Sequence, residues 1–109
     1  MATWTITYFS EAVQEEIVAF PAGLLARYFR CADRMEIFGP DLGMPHTRAM
    51  GNGLFELRLK AREGIARVFY CAVIGRKIAI LHAFVKKSQK TPARELTLAQ
   101  RRMKEMRSC

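Results

Sequence analysis

Three strand-like segments separated by very short connections occupy the middle of this 109-residue chain. They span Leu54–Lys60, Ile65–Ile74 and Lys77–Val85. The connections, Ala61–Gly64 and Gly75–Arg76, are short enough for hairpins, and only antiparallel strands can be joined so tightly. The sequence therefore predicts a three-stranded antiparallel meander at the centre of the fold.

The segment before the meander predicts one more strand and a pair of helices. Residues Trp4–Phe9 alternate bulky apolar side chains with threonine, as half-buried strands do. Ser10 is a suitable N-cap for a helix that Pro21–Gly23 would end. A second helix is predicted for Leu24–Phe38, and the glycine- and proline-rich stretch Gly39–Gly53 predicts a loop.

The segment after the meander predicts a final helix from Pro92 to about Met106, with Thr91 as its N-cap. The predicted order is N-terminal strand, helical hairpin, three-stranded antiparallel meander and C-terminal helix. This is an α+β fold with helices packed on one antiparallel sheet. A chain of this length has room for one core, so residues 1–109 are expected to form a single domain.

Charge is distributed unevenly along the chain, whose formal net charge is +8. Residues 1–53 carry four Lys or Arg against six acids, a net charge of −2. Residues 54–109 carry fourteen Lys or Arg against four acids, a net charge of +10. So basic a half-chain repels itself unless a polyanion neutralises it. The asymmetry favours a nucleic-acid partner over a merely well-solvated surface.

The cysteine and histidine content argues against a metal centre and against a disulfide framework. Cys31, Cys71 and Cys109 are odd in number and widely spaced, and neither His46 nor His82 has carboxylates at metal-ligand spacing. No apolar run approaches the ~20 residues that cross a bilayer, and the N-terminus lacks the pattern of a secretion signal. We therefore expect a cytoplasmic protein with no metal, no other cofactor and no membrane contact.

Metal-free RNA cleavage needs a base for the 2′-OH, cations for the charged transition state and an acid for the leaving 5′-oxygen. In the first meander strand Glu56, Arg58 and Lys60 alternate with apolar residues, so they share one face. Arg67, in the apolar second strand, must have a partner or reach solvent because an unpaired buried charge is costly, and this favours a phosphate contact. On a regular strand Tyr70 points to the other face, where it could stack on an unpaired base or pack in the sheet.

The third meander strand and the basic connector after it supply further candidates. His82 lies among apolar residues, so it is either a structural core histidine or an acid–base catalyst. Lys86, Lys87 and Lys90 come where this strand ends, and a lysine crowded by other cations can act as a base. The basic residues of the last helix predict only a solvated face: Arg101, Arg102 and Lys104.

Three stretches of the C-terminal half resemble the phage-derived HigB-type branch of the RelE/ParE toxin superfamily. They are Gly53–Arg58, Arg67–Tyr70 and Leu81–Pro92, and the last, which contains HAFVKKSQKTP, is the most specific. The resemblance implies a RelE-like fold and ribosome-dependent cleavage of messenger RNA in the A site without metal or cofactor. It also implies a bacterial or phage type II toxin–antitoxin pair. The helix-turn-helix antitoxin of such a pair blocks the toxin and binds the operator DNA, which the toxin contacts only through the antitoxin.

The resemblance also implies which residues do the work. The working positions that it implies are Arg58, Lys60, Arg67, Lys86, Lys87 and Lys90. His82 joins the catalytic candidates because of its residue type alone. As general base, Lys87 or Lys90 comes ahead of His82, and the question stays open because the last helix lacks the C-terminal tyrosine that some RelE relatives use. Contacts to RNA are expected from Lys60, Arg62, Tyr70, Arg76 and Lys77.

Two other classes of function remain open on the sequence. ParE-type members of the superfamily poison DNA gyrase and cleave no RNA, but a protein target needs no phosphate cradle such as Arg58, Arg67 and Lys86–Lys90 could form. A non-catalytic RNA-binding module would interleave exposed aromatic rings with basic residues. Here only Phe69, Tyr70 and Phe84 are near enough, and strand alternation should bury some of them.

Overall fold

The computed structural model describes residues 3–86 and 90–108. The elements in chain order are β1 (Thr5–Tyr8), α1 (Glu11–Val18), α2 (Ala22–Phe38), β2 (Thr47–Gly51), β3 (Leu54–Ala61), β4 (Gly64–Val73), β5 (Lys77–Lys86) and α3 (Ala93–Ser108). The five strands form one sheet in the order β1-β5-β4-β3-β2. β1 runs parallel to β5, and every other neighbouring pair is antiparallel.

The structure confirms an α+β protein and corrects the predicted sheet, which has five strands and is mixed rather than purely antiparallel. Part of the predicted loop, Thr47–Gly51, forms β2 and pairs with β3. The turn between them places Asn52 and Gly53 at φ 56° and 89°, as a tight type I′ hairpin turn requires. β2 lacks a clear alternating pattern because it is a short edge strand in which only Thr47 is buried.

The two N-terminal helices begin where local hydrogen bonding supports them. Ser10 caps α1, since its Oγ accepts a hydrogen bond from the Val13 backbone N–H at 3.3 Å. α2 begins directly after Pro21, which offers no side-chain cap. Glu63 of the β3–β4 turn replaces that cap, because its Oε2 accepts from the Gly23 N–H at 2.7 Å. None of the helices that the structure describes is long and apolar enough to span a membrane.

The helices cover both faces of the sheet: α1 and α2 pack on one, the α1–α2 face, and α3 packs on the other, the α3 face. The side chains buried on the α1–α2 face include Leu57, Leu59, Val68, Ile78 and Ile80. Those buried on the α3 face include Leu54, Phe69, Cys71, Ala79 and Leu81, with Ala99 and Met103 of α3. Each fully buried Leu or Ile stabilises the fold by roughly 1.5–3 kcal/mol, so the two cores fix the sheet between its helices.

A β-bulge in β5 decides which face the second half of that strand presents. Tyr70 pairs with Ile80 but Phe69 pairs with His82, so Leu81 is an additional residue in β5. One extra residue reverses the alternation of every residue that follows it. The bulge therefore places His82 and Lys86 on the α3 face, the same face as Arg67 and Glu56.

Candidate functional site

Four charged side chains meet where β3, β4 and β5 approach the start of α3. They are Glu56, Arg58, Arg67 and Lys86, and we call them the ionic cluster. Arg58 lies directly opposite Arg67, while Lys86 pairs with Ile65, two residues before Arg67 on β4. Glu56, Arg67 and Lys86 are only 2%, 4% and 6% exposed. The antiparallel register thus brings three strands' charges together in a largely water-excluded site.

Glu56 is the carboxylate that links the two arginines of the cluster. Its Oε1 lies 3.6 Å from Nη1 of Arg58, and its Oε2 lies 3.8 Å from Nε of Arg67. The Thr91 hydroxyl donates a hydrogen bond to Oε2 at 3.0 Å, which links the cluster to the segment just before α3. Sequence reasoning missed this role of Glu56. The sequence does contain a clue, because Glu56 is the single carboxylate among the charged residues that alternate along β3, and the others, Arg58 and Lys60, are basic.

The hydrogen-bond donors of the Arg67 guanidinium are only partly satisfied by the described residues. Its Nη1 donates to the Ala66 carbonyl at 3.1 Å. Its Nε is buried and has no hydrogen-bond acceptor among the described residues. Burial lowers the pKa of Arg67, the Glu56 carboxylate opposes that effect, and Arg58 adds to it. A buried donor without an acceptor is costly, and a bound oxyanion would supply the acceptor that the protein does not.

Lys86 completes the positive side of the cluster. Burial lowers the pKa of its ammonium group, and the neighbouring positive charge of Arg67 lowers it further. Glu56 raises the pKa and Arg58 lowers it by smaller amounts. The surroundings of Lys86 thus favour the neutral amine more than water does. Chemically, the ionic cluster combines two guanidinium groups with an amine whose pKa is lowered by burial and by Arg67.

A cleft of about 410 Å³ lies beside the cluster, between α2 and the end of β3. It is lined by Arg27, Arg30, Cys31, Arg34, Pro45, His46, Arg58, Leu59, Lys60, Ile65 and Arg67. β2 leaves this part of β3 uncovered, because their pairing ends at Thr47 opposite Leu57. Six of the described lining residues are Lys or Arg and none is a carboxylate. The three arginines of α2 are a part of this surface that the sequence analysis did not assign.

His82 is buried and contacts two helices. Its Nε2 lies 2.5 Å from Oε2 of Glu95 on α3, and its Nδ1 lies 3.9 Å from Oε2 of Glu16 on α1. Its ring stacks on Phe84 with centroids 5.4 Å apart. In the part of the chain that the structure describes, no three His, Cys, Asp or Glu side chains could hold a metal ion together. Of the two interpretations of His82, these contacts support the structural one.

Tyr70, Arg76 and Lys77, three of the predicted RNA contacts, lie away from the ionic cluster. Tyr70 is fully buried on the α1–α2 face, stacks on Phe55 at 5.5 Å and donates its hydroxyl hydrogen to the Pro40 carbonyl. Burial raises the pKa of Tyr70. Arg76 lies in the β4–β5 turn and Lys77 begins β5, about 30 Å from Lys86 along a ten-residue strand. The Tyr70 ring is therefore not accessible for stacking on RNA, which corrects that prediction. Contacts of Arg76 and Lys77 to RNA stay a prediction, at a part of the strand away from Arg67.

The remaining predicted positions lie around the cluster or outside the described residues. Lys60 is exposed on the cleft, Arg62 is exposed in the β3–β4 turn, and Lys90 is exposed just before α3. Lys87 lies outside the described residues.

Arg102, predicted on a solvated face, has a structural role instead. It donates to the Leu81 carbonyl at 2.8 Å and lies 5.0 Å from the centre of the Phe9 ring. The carbonyl that it bonds belongs to the bulged residue of β5, so Arg102 helps to hold the bulge.

A known protein family matches the part of the chain that contains the site. The family described as "Phage derived protein Gp49-like (DUF891)" matches residues 15–104, which include the ionic cluster and the cleft. This family is associated with RelE-like toxins of toxin–antitoxin systems. No curated protein matches the chain. Since the match covers most of its length, the chain belongs to the Gp49-like family of phage-derived proteins.

Proposed function

We propose that this protein is the toxin of a type II toxin–antitoxin pair, a ribosome-dependent endoribonuclease that cuts messenger RNA in the A site and so arrests translation. Within the RelE/ParE superfamily it would stand with the HigB-type toxins and act in the cytoplasm. The ionic cluster carries the proposal. Buried Arg67 has an Nε donor with no acceptor among the described residues, beside Lys86 and Arg58. A phosphodiester supplies both the acceptor and the negative charge that this arrangement favours.

The arginines are proposed to stabilise the charge that builds up on phosphorus during cleavage. When the 2′-oxygen attacks, the phosphate gains negative charge on its non-bridging oxygens, and guanidinium groups can donate to two such oxygens at once. Glu56 holds Arg58 and Arg67 in place before the RNA arrives. Groups fixed in advance need not reorganise during the reaction, which is why such stabilisation is effective.

Lys86 is proposed as the general base, ahead of Lys87 and Lys90. Burial and the charge of Arg67 lower its pKa, so more of it is neutral near pH 7 than for a lysine in water. The neutral amine takes the proton of the 2′-OH, and the new 2′-O–P bond forms as the P–O5′ bond breaks. Water protonates the leaving 5′-oxygen, and the Lys86 ammonium afterwards returns its proton to solvent. The products are a 2′,3′-cyclic phosphate and a 5′-hydroxyl, with no metal and no cofactor required.

The proposal includes the partners that such a toxin needs. The ribosome presents the message, and a cognate helix-turn-helix antitoxin blocks the toxin until it is degraded. The strongly basic C-terminal half offers that antitoxin a surface for acidic segments. Operator DNA would be bound by the antitoxin, with the toxin attached to it rather than to the DNA.

Expression of the chain alone in growing cells tests the proposal. Pulse labelling should show protein synthesis falling before DNA synthesis, and 5′-end mapping should find cuts inside translated codons. Blocking initiation on one message should protect that message. If DNA synthesis fails first while messages stay intact, the protein is a gyrase inhibitor. If it binds RNA and no cuts appear, it is a non-catalytic RNA-binding module.

A further inference from the structure

The three arginines of α2 form a row along one side of the cleft. Arg27, Arg30 and Arg34 are spaced three and four residues apart, so they lie on one side of the helix. They span about 10 Å along the helix axis, at 1.5 Å per residue. All three are exposed, and all three line the cleft. Among the described residues no hydrogen bond or ion pair joins them to the ionic cluster, so the cleavage chemistry proposed above leaves them unexplained.

The cleft is apolar at its base and cationic at its rim. Leu59 and Cys31 are buried against it, and Ile65 and Pro45 add further apolar surface. Burial raises the pKa of the Cys31 thiol, although the arginines of α2 oppose that effect, so the thiol is held in its neutral form. A volume of about 410 Å³ falls within the size range of small-ligand sites. A planar apolar group with a charged edge fits this combination.

We infer that this cleft binds one unstacked nucleotide of a single RNA strand, immediately next to the phosphate at the ionic cluster. The inference rests on the proposed function, and it names a second part of the RNA-binding site. Arg58 and Arg67 line the cleft and also belong to the cluster, so the two sites are continuous. An unstacked base packs on apolar surface and on guanidinium planes, while its backbone phosphates pair with arginines.

Binding of an uncleavable RNA separates this inference from catalysis. The probe is a fluorescein-labelled single-stranded 2′-O-methyl RNA octamer, compared with an abasic strand of equal length and charge. The cleft variant is Arg30→Gln/Arg34→Gln. The matched control is Arg101→Gln/Lys104→Gln, which removes the same charge from exposed positions of α3, away from the cleft. All four side chains are exposed, so both variants should keep the wild-type circular dichroism and melting temperature.

The cleft variant should bind the octamer about tenfold more weakly, a factor that the stacking of one base can supply alone. Two lost phosphate contacts on a single strand should also reduce the slope of log Kd against log salt by roughly 1.4. The wild-type preference for the octamer over the abasic strand should largely disappear. The control should change Kd less than threefold.

Equal weakening in both variants would overturn the inference, because only overall charge would then matter. Unchanged RNA binding with loss of poly-glutamate binding in the cleft variant would also overturn it, in favour of an acidic protein partner. Cleavage distinguishes the two proposals. If the wild type cuts messages and the cleft variant binds RNA normally, only the cleft inference fails. If RNA binding depends on the cleft and the wild type cuts nothing, only the proposed enzymatic function fails.

Discussion

Replacing Glu56 by glutamine removes the negative charge of the ionic cluster and keeps the shape of the side chain. The Thr91 hydroxyl can still donate to the amide oxygen, so the hydrogen bond to that segment survives. Arg67, 4% exposed, loses the carboxylate that lies 3.8 Å from its Nε. The substitution therefore tests whether Glu56 makes the burial of Arg67 possible.

The expected magnitude follows from that distance. At 3.8 Å and an effective dielectric constant of about 20, the charges of Glu56 and Arg67 attract by about 4 kcal/mol. Arg58 is 30% exposed, so screening by water reduces its share to about 1 kcal/mol or less. Leaving one partner of a buried ion pair uncompensated typically costs about 3–5 kcal/mol. We expect Glu56→Gln to lower the free energy of unfolding by about 3 kcal/mol, and the melting temperature by more than about 10 °C.

Urea denaturation at pH 7, followed by the fluorescence of Trp4, the only tryptophan, measures this change. The double variant Glu56→Gln/Arg67→Met removes both charges and should be more stable than Glu56→Gln alone. The coupling energy of the double-mutant cycle should reach about 2 kcal/mol. Glu15→Gln, on the exposed side of α1, is the control and should change stability by less than about 0.5 kcal/mol. A coupling energy below about 0.5 kcal/mol would refute the reasoning.

Three further predictions concern other contacts in the structure. Burial and Arg67 lower the pKa of Lys86, so the cleavage rate should rise with pH and level off at a lower pH than an ordinary lysine would give. In single-turnover assays, Lys86→Met should abolish this pH dependence. His82→Gln should weaken the contact with Glu95 and lower the free energy of unfolding by about 1–3 kcal/mol, while the folded protein still cleaves RNA. A cleavage rate about a hundredfold slower at an unchanged melting temperature would show that His82 is catalytic instead. Ser10→Ala should cost about 1 kcal/mol through the lost cap of α1, and Ser10→Asp should restore it; equal stability of all three proteins in thermal melts would contradict the capping role.

The parts of the fold that follow from local pattern could be predicted from the sequence. Alternation in β3 placed Glu56, Arg58 and Lys60 on one face, and the short connections set the antiparallel order of β3, β4 and β5. The bulge at Leu81 could not be predicted, because it is one extra residue within an apolar run that carries no turn signal. That bulge determines which face of the sheet Lys86 occupies. The position of Lys86 in the ionic cluster therefore depends on a feature that the sequence pattern does not reveal.

The remaining differences arise from contacts between residues far apart in sequence. The row of arginines on α2 is visible as a spacing, but only tertiary packing brings it against the end of β3. The parallel pairing of β1 with β5 joins segments about seventy residues apart, and neither segment specifies a direction. Tyrosine suits RNA stacking, yet Tyr70 donates a hydrogen bond to a backbone carbonyl inside the protein. Arginine suits a solvated helix face, yet Arg102 also donates to a backbone carbonyl. Such roles depend on the surroundings of a residue rather than on its type.

Single-turnover cleavage of a message on programmed ribosomes tests most directly the claim that the ionic cluster is the catalytic site. Arg67→Ala should slow cleavage about 10²- to 10³-fold, the effect of losing roughly 2–4 kcal/mol of charge stabilisation. Arg67→Lys should recover part of that rate, because it restores the charge without the two-pronged geometry. Arg101→Ala, on the exposed face of α3, should cleave at the wild-type rate. With melting temperatures recorded for every variant, a wild-type rate for Arg67→Ala, or a loss fully explained by unfolding, would contradict the account.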